Sequence, residues 1–180
     1  MANEMFPVNI VHDKAEAGGL QYLVIGGHAV NVYCEPRSTL DVDFLVRRDE
    51  CKRWEELLKG EGFQPRSHGE TFVLFNPPYG VRWRLDLMLV SEDTFGKILS
   101  AAKEVKMLGV TAQVPSIEHL LAMKVHALRH GNQERFEKDF GDVLNLIRNA
   151  EFGVDSEPVR RAFQQFGTEE LYERVKQRLG

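Results

Sequence analysis

Residues 20–46 read LQYLVIGGHAVNVYCEPRSTLDVDFLV, and the fold turns on how this stretch divides. The largely apolar run from Leu20 predicts a short strand that ends in the glycine pair Gly26-Gly27. Ala29, Val30, Tyr33 and Cys34 then fall at helical spacing, and Pro36 with Arg37, Ser38 and Thr39 breaks that helix. The run LDVDFLV predicts a second strand. Side chains alternate along a strand, so Asp41 and Asp43 project from one face while Val42, Phe44 and Val46 project from the other.

Two carboxylates about 7 Å apart along one strand repel each other unless a cation lies between them. Magnesium suits such a pair, because it takes carboxylate oxygens and keeps positions for phosphate and water. The plain alternative is a solvent-facing edge strand that carries two acids. Residues 81–90, VRWRLDLMLV, predict a further strand with Trp83, Leu85, Leu87 and Leu89 on one face and Arg82, Arg84, Asp86 and Met88 on the other. If the two strands are neighbours, Asp86 completes a triad with Asp41 and Asp43, and three carboxylates hold two metals about 3.5–4 Å apart. Otherwise Asp86 forms an ion pair with Arg84 or Arg82 on an exposed face. Gly26-Gly27, between strand and helix, lets the backbone approach a phosphate closely, with the helix N-terminus supplying free N–H groups and a favourable dipole.

The rest of the chain frames this core. Residues 49–59 read as a helix stopped by Gly60 and Gly62, residues 71–75 as a strand, and Asn76-Pro77-Pro78-Tyr79-Gly80 as a turn. Ser91 is a candidate N-cap for a helix over 92–102. A hairpin is expected to turn at Leu108-Gly109. Beyond Ser116 the pattern is helical throughout: 117–130, 133–148 and two shorter pieces. The expectation is an α/β (α+β) fold, a mixed sheet flanked by helices in residues 1–114 followed by a helical C-terminal region in residues 115–180.

The 180 residues are 43% hydrophobic and 28% charged, enough to bury a core without disulfide or metal staples. A net charge of −4 argues against a dedicated nucleic-acid binder, while leaving room for a local basic groove. Cys34 and Cys51 lack metal-ligand spacing and are expected to be free thiols. No basic stretch leads into a long apolar run at the N-terminus, and no apolar stretch approaches the ~20 residues of a membrane span, so a cytoplasmic location is expected. The six histidines show no metal-ligand spacing, and Phe136, Phe140 and Ile147 read as core.

The block GGHAVNVYCEPRSTLDVDFLV resembles the signature of the polymerase-beta-like nucleotidyltransferase superfamily: a glycine pair, a short helix, Asp-x-Asp on a strand, and a third acid on a later strand. Thirteen residues separate Gly27 from Asp41. Arg37 and Thr39, leading into the acid pair, are similar to bacterial nucleotidyltransferases of the abortive-infection toxin type and to small antibiotic nucleotidyltransferases. So is the helical segment with Lys124 followed by Lys138, Asp139 and Asp142. His28 departs from the family, where a small residue usually follows the glycines. The resemblance covers roughly residues 22–147.

This resemblance implies a nucleotidyltransferase with Asp41, Asp43 and Asp86 as catalytic metal ligands. Gly26, Gly27, Arg37, Thr39 and Lys124 are its nucleotide-binding residues, with two Mg2+ ions and a nucleoside triphosphate as substrate. Lys124 lies on the apolar stripe of its helix, so it either snorkels to the surface or points at something negative, with Asp139 or Asp142 positioning it toward a triphosphate. The acceptor is open among tRNA, protein and small molecule, and an antitoxin partner is possible for a toxin-type member. Two rivals accompany this reading: a catalytically silent nucleotide- or protein-binding member of the same fold, and a two-metal nuclease or phosphatase.

Overall fold

The computed structural model describes residues 7–150 and 153–180. Five strands form the main sheet: β1 (Leu23–Ile25), β2 (Asp41–Arg47), β3 (Gln64–His68), β4 (Phe72–Asn76) and β5 (Arg84–Val90), in the spatial order β1-β2-β5-β4-β3. β2 and β5 run parallel at the centre, and the remaining pairs are antiparallel. The central pair carries the apolar runs of the sequence, as a strand with neighbours on both sides requires. Val42, Phe44 and Val46 of β2 and Leu85, Leu87 and Leu89 of β5 are all buried. The expected mixed α/β fold is thus observed.

Around the sheet lie α1 (Pro7–Ala17), α2 (Gly26–Tyr33), α3 (Cys51–Gly60, entered through a 3-10 turn at Arg48–Glu50) and α4 (Glu92–Ser100). α3 faces the sheet with Trp54 and Leu58, both fully buried. Tyr22 stacks on Phe44 with ring centroids 4.2 Å apart, and Trp54 meets both rings edge-on at 5.9 Å. This aromatic trio fixes α3 on the face of β2 opposite Asp41 and Asp43. Ser91 caps α4 by accepting a hydrogen bond from the Thr94 N–H, as its position predicts. The hairpin β6 (Lys103–Met107) to β7 (Val110–Val114) turns through Leu108 and Gly109, with φ of 51° and 82°. Two consecutive positive φ angles define the tight hairpin turn whose twist matches its strands, and glycine adopts one without strain.

Four further helices follow: α5 (Ile117–His130), α6 (Phe136–Asn149), α7 (Glu157–Phe166) and α8 (Glu169–Leu179). The chain divides into two compact units. One takes in the described residues through Ala29 together with Arg37–Pro115, and the other Val30–Pro36 with Ser116–Gly180. In the helical unit, Leu120, Leu121, Val125 and Leu128 of α5 share a core with Val143, Leu146 and Ile147 of α6 and Val159 and Phe163 of α7. Phe136, expected in the core, is half-exposed, with the Arg174 guanidinium lying 4.8 Å over its ring. No helix among the described residues is long and apolar enough to cross a membrane.

Three elements differ from the sequence reading. β5 begins at Arg84 rather than Val81, because its partner β2 begins at Asp41, which pairs with Arg84. Trp83 therefore lies outside the strand and is half-exposed instead of sharing the apolar face of Leu85. β3 was not expected at all: QPRSH is exposed along its whole length and contains Pro65, so no periodicity marks it. Only its pairing with β4, interrupted by a bulge between Pro65 and Ser67, holds it extended. α1 was also missed, although Val8, Val11 and Ala15 recur at helical spacing and are fully buried.

Phe44 joins the apolar face of the acid-bearing strand to α3. Phe44→Ala is expected to cost about 3–5 kcal/mol, a large part of the stability of a domain this size, as read by urea unfolding.

Candidate functional site

β2 presents Asp41 and Asp43 on one face by strand alternation, and the parallel register sets Asp43 directly opposite Asp86 of β5. The third acid thus stands beside the other two, and all three share the face away from α3. Asp41 and Asp43 are half-buried, while Asp86 is 8% exposed. One oxygen of Asp86, Oδ1, is buried without a hydrogen-bond partner among the described residues. Burial, and then the charges of Asp43 and Asp41, push the Asp86 carboxyl up to about 6. The positive charge that partly offsets this comes from Arg66, not from the Arg82 or Arg84 of the ion-pair alternative.

The three carboxylates do not close on one point. Among the described residues, only Cys51, Glu55 and His68 bring three donor atoms within 4.8 Å of one another.

Gly26 closes the site from the side. It sits at the junction of β1 and α2 with φ of 66°, and a Cβ there would overlap the Asp43 carboxylate, lying 2.8 Å from its Cγ. A Cβ on Gly27 would lie 2.9 Å from Thr39 Oγ1 and 3.1 Å from Arg37 Nη2. Gly26, Gly27, Arg37, Thr39 and Asp43 therefore meet around one turn, which the absence of two side chains keeps open. Thr39 is buried and its hydroxyl donates to the Asp41 carbonyl at 3.5 Å. The oxygen-only donor set, the unpartnered Asp86 oxygen and the glycine cradle together fit a hard divalent cation beside a phosphate.

Lys124 lies in the helical unit. Its Nζ stands 2.6 Å from Asp139 Oδ1 and 2.8 Å from Asp142 Oδ2, and all three side chains are buried. Of the two courses open to a lysine on an apolar stripe, this one points at something negative; it does not snorkel. Its assignment to the nucleotide rests on the family resemblance alone.

Two features escaped the sequence reading. Arg66, which bears electrostatically on Asp86, sits at the bulge of the unforeseen strand β3, so nothing local pointed to it. His28, the departure after the glycine pair, is buried and stacks on Trp83 with ring centroids 4.9 Å apart and planes 22° from parallel. The anomalous residue and the tryptophan displaced from its strand thus account for each other.

A family model described as "Uncharacterised nucleotidyltransferase" matches residues 12–175. No curated protein matches the sequence. Among solved structures, the antibiotic-resistance factor ANT(2'')-Ia is similar with a TM-score of 0.58 at 13% identity, over 95% of this chain and 88% of that one. The lincosamide antibiotic adenylyltransferase LnuA, lincomycin-bound, gives 0.56 at 16% identity, over 80% and 98%. An antigenic nucleotidyltransferase-like protein from Paracoccidioides brasiliensis gives 0.54 at 20% identity, over 97% and 93%. At these identities the structures establish the shared fold.

Gly26→Ala is expected to cost about 1–3 kcal/mol for its positive φ alone, and to displace Asp43 so that divalent-cation binding is lost. Gly96→Ala, in open space within α4, should leave binding intact and slightly stabilise the helix. Calorimetric titration with magnesium, alongside urea unfolding, compares the two.

For Asp86 the sign of the pH effect follows from its raised carboxyl. The unfolded chain loses this proton near pH 4, whereas the folded chain holds it to about pH 6. The group's stabilising contribution is therefore complete below about pH 4 and lost as pH rises through about 6. In chelator-treated protein, Asp86→Asn should melt a few degrees above the native chain at pH 7.5 and level with it at pH 4. A lower melting temperature at pH 7.5 would show that ionised Asp86 is structural instead.

Proposed function

This chain belongs to the nucleotidyltransferase family, and from that premise we propose that its acid face transfers a nucleoside monophosphate from a triphosphate to an acceptor hydroxyl. The observation that carries the reading is the pairing of Asp43 with Asp86 across parallel strands, next to a glycine turn too tight for any side chain. Asp41, Asp43 and Asp86 would hold magnesium, two ions by family resemblance, which would neutralise charge on the triphosphate and the leaving pyrophosphate.

The chain's own groups do the rest. Gly26 and Gly27 admit the phosphates against the backbone, and Arg37 and Thr39 border the same turn. By family resemblance the Asp86 carboxylate would stand nearest the acceptor hydroxyl and take its proton. The freed oxygen bonds to the α-phosphorus, the bond from that phosphorus to the bridging oxygen breaks, and pyrophosphate leaves. The glycine cradle favours this reading over a two-metal nuclease or phosphatase, which needs clustered acids but no phosphate-binding turn.

The acceptor is a small molecule, a protein or an RNA. Structures of the same fold include an adenylyltransferase bound to lincomycin and a complex with adenylyl-2"-tobramycin, so antibiotic-like polyols belong in the first acceptor panel. The proposed location is the cytoplasm, where a triphosphate donor would be at hand. For a toxin-type member the partner would be an antitoxin.

Incubation with each α-labelled triphosphate, magnesium and fractionated cell extract is expected to move label into one fraction and release pyrophosphate. Asp41→Asn and Asp43→Asn should each slow transfer about 10²–10³-fold, the scale of losing one group that stabilises transition-state charge. Failure of the native chain to bind any triphosphate in a metal-dependent way would sink the proposal, and release of orthophosphate would replace it with a hydrolase.

A further inference from the structure

Cys51 and Glu55 lie one turn apart on the same face of α3, and His68 ends the edge strand β3. The sheet register places this trio. His68 pairs with Val73, Val73 with Leu87, and Leu87 with Phe44, so His68 lies on the face that α3 covers. The acids occupy the other ladder, in which Asp43 pairs with Asp86, Asp86 with Leu74, and Leu74 with Ser67. The two groups of donors thus stand on opposite faces of one sheet.

The trio is arranged about its carboxylate. Glu55 Oε1 lies 3.6 Å from Cys51 Sγ and 3.2 Å from His68 Nε2, and the three donor atoms fall within 4.8 Å of one another. Metal–ligand bonds of about 2.0–2.3 Å at a tetrahedral centre put neighbouring donors about 3.3–3.6 Å apart. The two edges shared by Glu55 therefore have nearly the length that a tetrahedral ion requires, and the third closes by a small side-chain movement. The other Glu55 oxygen, Oε2, is held by Lys59 Nζ at 3.1 Å, which aims Oε1 toward the thiol and the imidazole. One sulfur, one nitrogen and one oxygen suit a borderline cation such as zinc, whereas magnesium and calcium take oxygen alone.

We propose that Cys51, Glu55 and His68 form a second metal site, of the zinc class, with a fourth position open to water and separate from the acids of the opposite face. Binding would release the thiol proton to solvent and leave the thiolate as ligand. It would also tie β3, exposed along its whole length, to α3, which Trp54 and Leu58 anchor in the core. This site stands whether or not the chain transfers nucleotides.

The test uses the full chain, stripped with chelator and titrated with zinc alone against a chromophoric competitor. One equivalent is expected to bind tightly, and excess magnesium should not displace it. Cobalt in place of zinc should give the near-ultraviolet absorption of a thiolate–cobalt bond. His68→Ala, at an exposed position, should weaken zinc binding by at least about tenfold and abolish the rise in melting temperature that zinc produces. Cys51→Ser should remove the cobalt–thiolate band. His126→Ala, which breaks the imidazole pair on α5, should change none of these. Equal zinc affinity in the native and His68→Ala chains, or a cobalt complex without the thiolate band, would overturn the proposal.

Discussion

Two carboxylates that face each other across neighbouring parallel strands are a standing source of repulsion, and much of the first unit is arranged to hold them there. Asp43 and Asp86 are locked in register by the opposite face of the same strands, where Phe44 and Leu87 pair directly beneath the acid ladder and are fully buried. A slip of one residue would turn these apolar side chains toward the acid face, so the hydrophobic pattern enforces the electrostatic one. The Tyr22, Phe44 and Trp54 rings add mass beneath β2 and keep that face closed. The cost is concentrated on Asp86, whose carboxyl is driven up by burial and by its two acidic neighbours. An acid so placed favours whatever arrives with positive charge or takes its proton.

The glycine turn belongs to the same constraint. Ile25 pairs with Asp43, so the residue that follows β1 inevitably crowds the Asp43 carboxylate. Only a residue without a side chain, free to adopt a positive φ, fits at Gly26. The glycine turn and the Asp43 carboxylate are thus one steric unit, which is why the spacing between glycine pair and acid pair reads as a signature. A chain of the nucleotidyltransferase family can vary much else, as the low identities to structures of the same fold show.

The sheet also separates two coordination chemistries. Its acid face offers oxygen donors only, near a turn suited to phosphate. The α3 face ends at the sheet edge in a thiol, an imidazole and a carboxylate already aimed by a lysine. Hard and borderline cations would be sorted by face, and the apolar layer between them keeps the two sets of donors from sharing an ion.

The central motif was legible in the sequence because its signals are local. Alternation put Asp41 and Asp43 on one face, the glycine pair marked the turn, and Ser91 and Leu108-Gly109 announced a cap and a hairpin through their own backbone preferences. What stayed hidden depended on partners distant in the chain. β3 is extended only because β4 pairs with it, Trp83 left its strand because β2 begins at Asp41, and Arg66 reaches the field of Asp86 only across the intervening strand β4. Residue types and periods determined which side chains share a strand face and where the turn falls. Strand order and register, settled by long-range pairing that no local propensity encodes, decided that Asp86 meets Asp43 and that His68 meets Glu55.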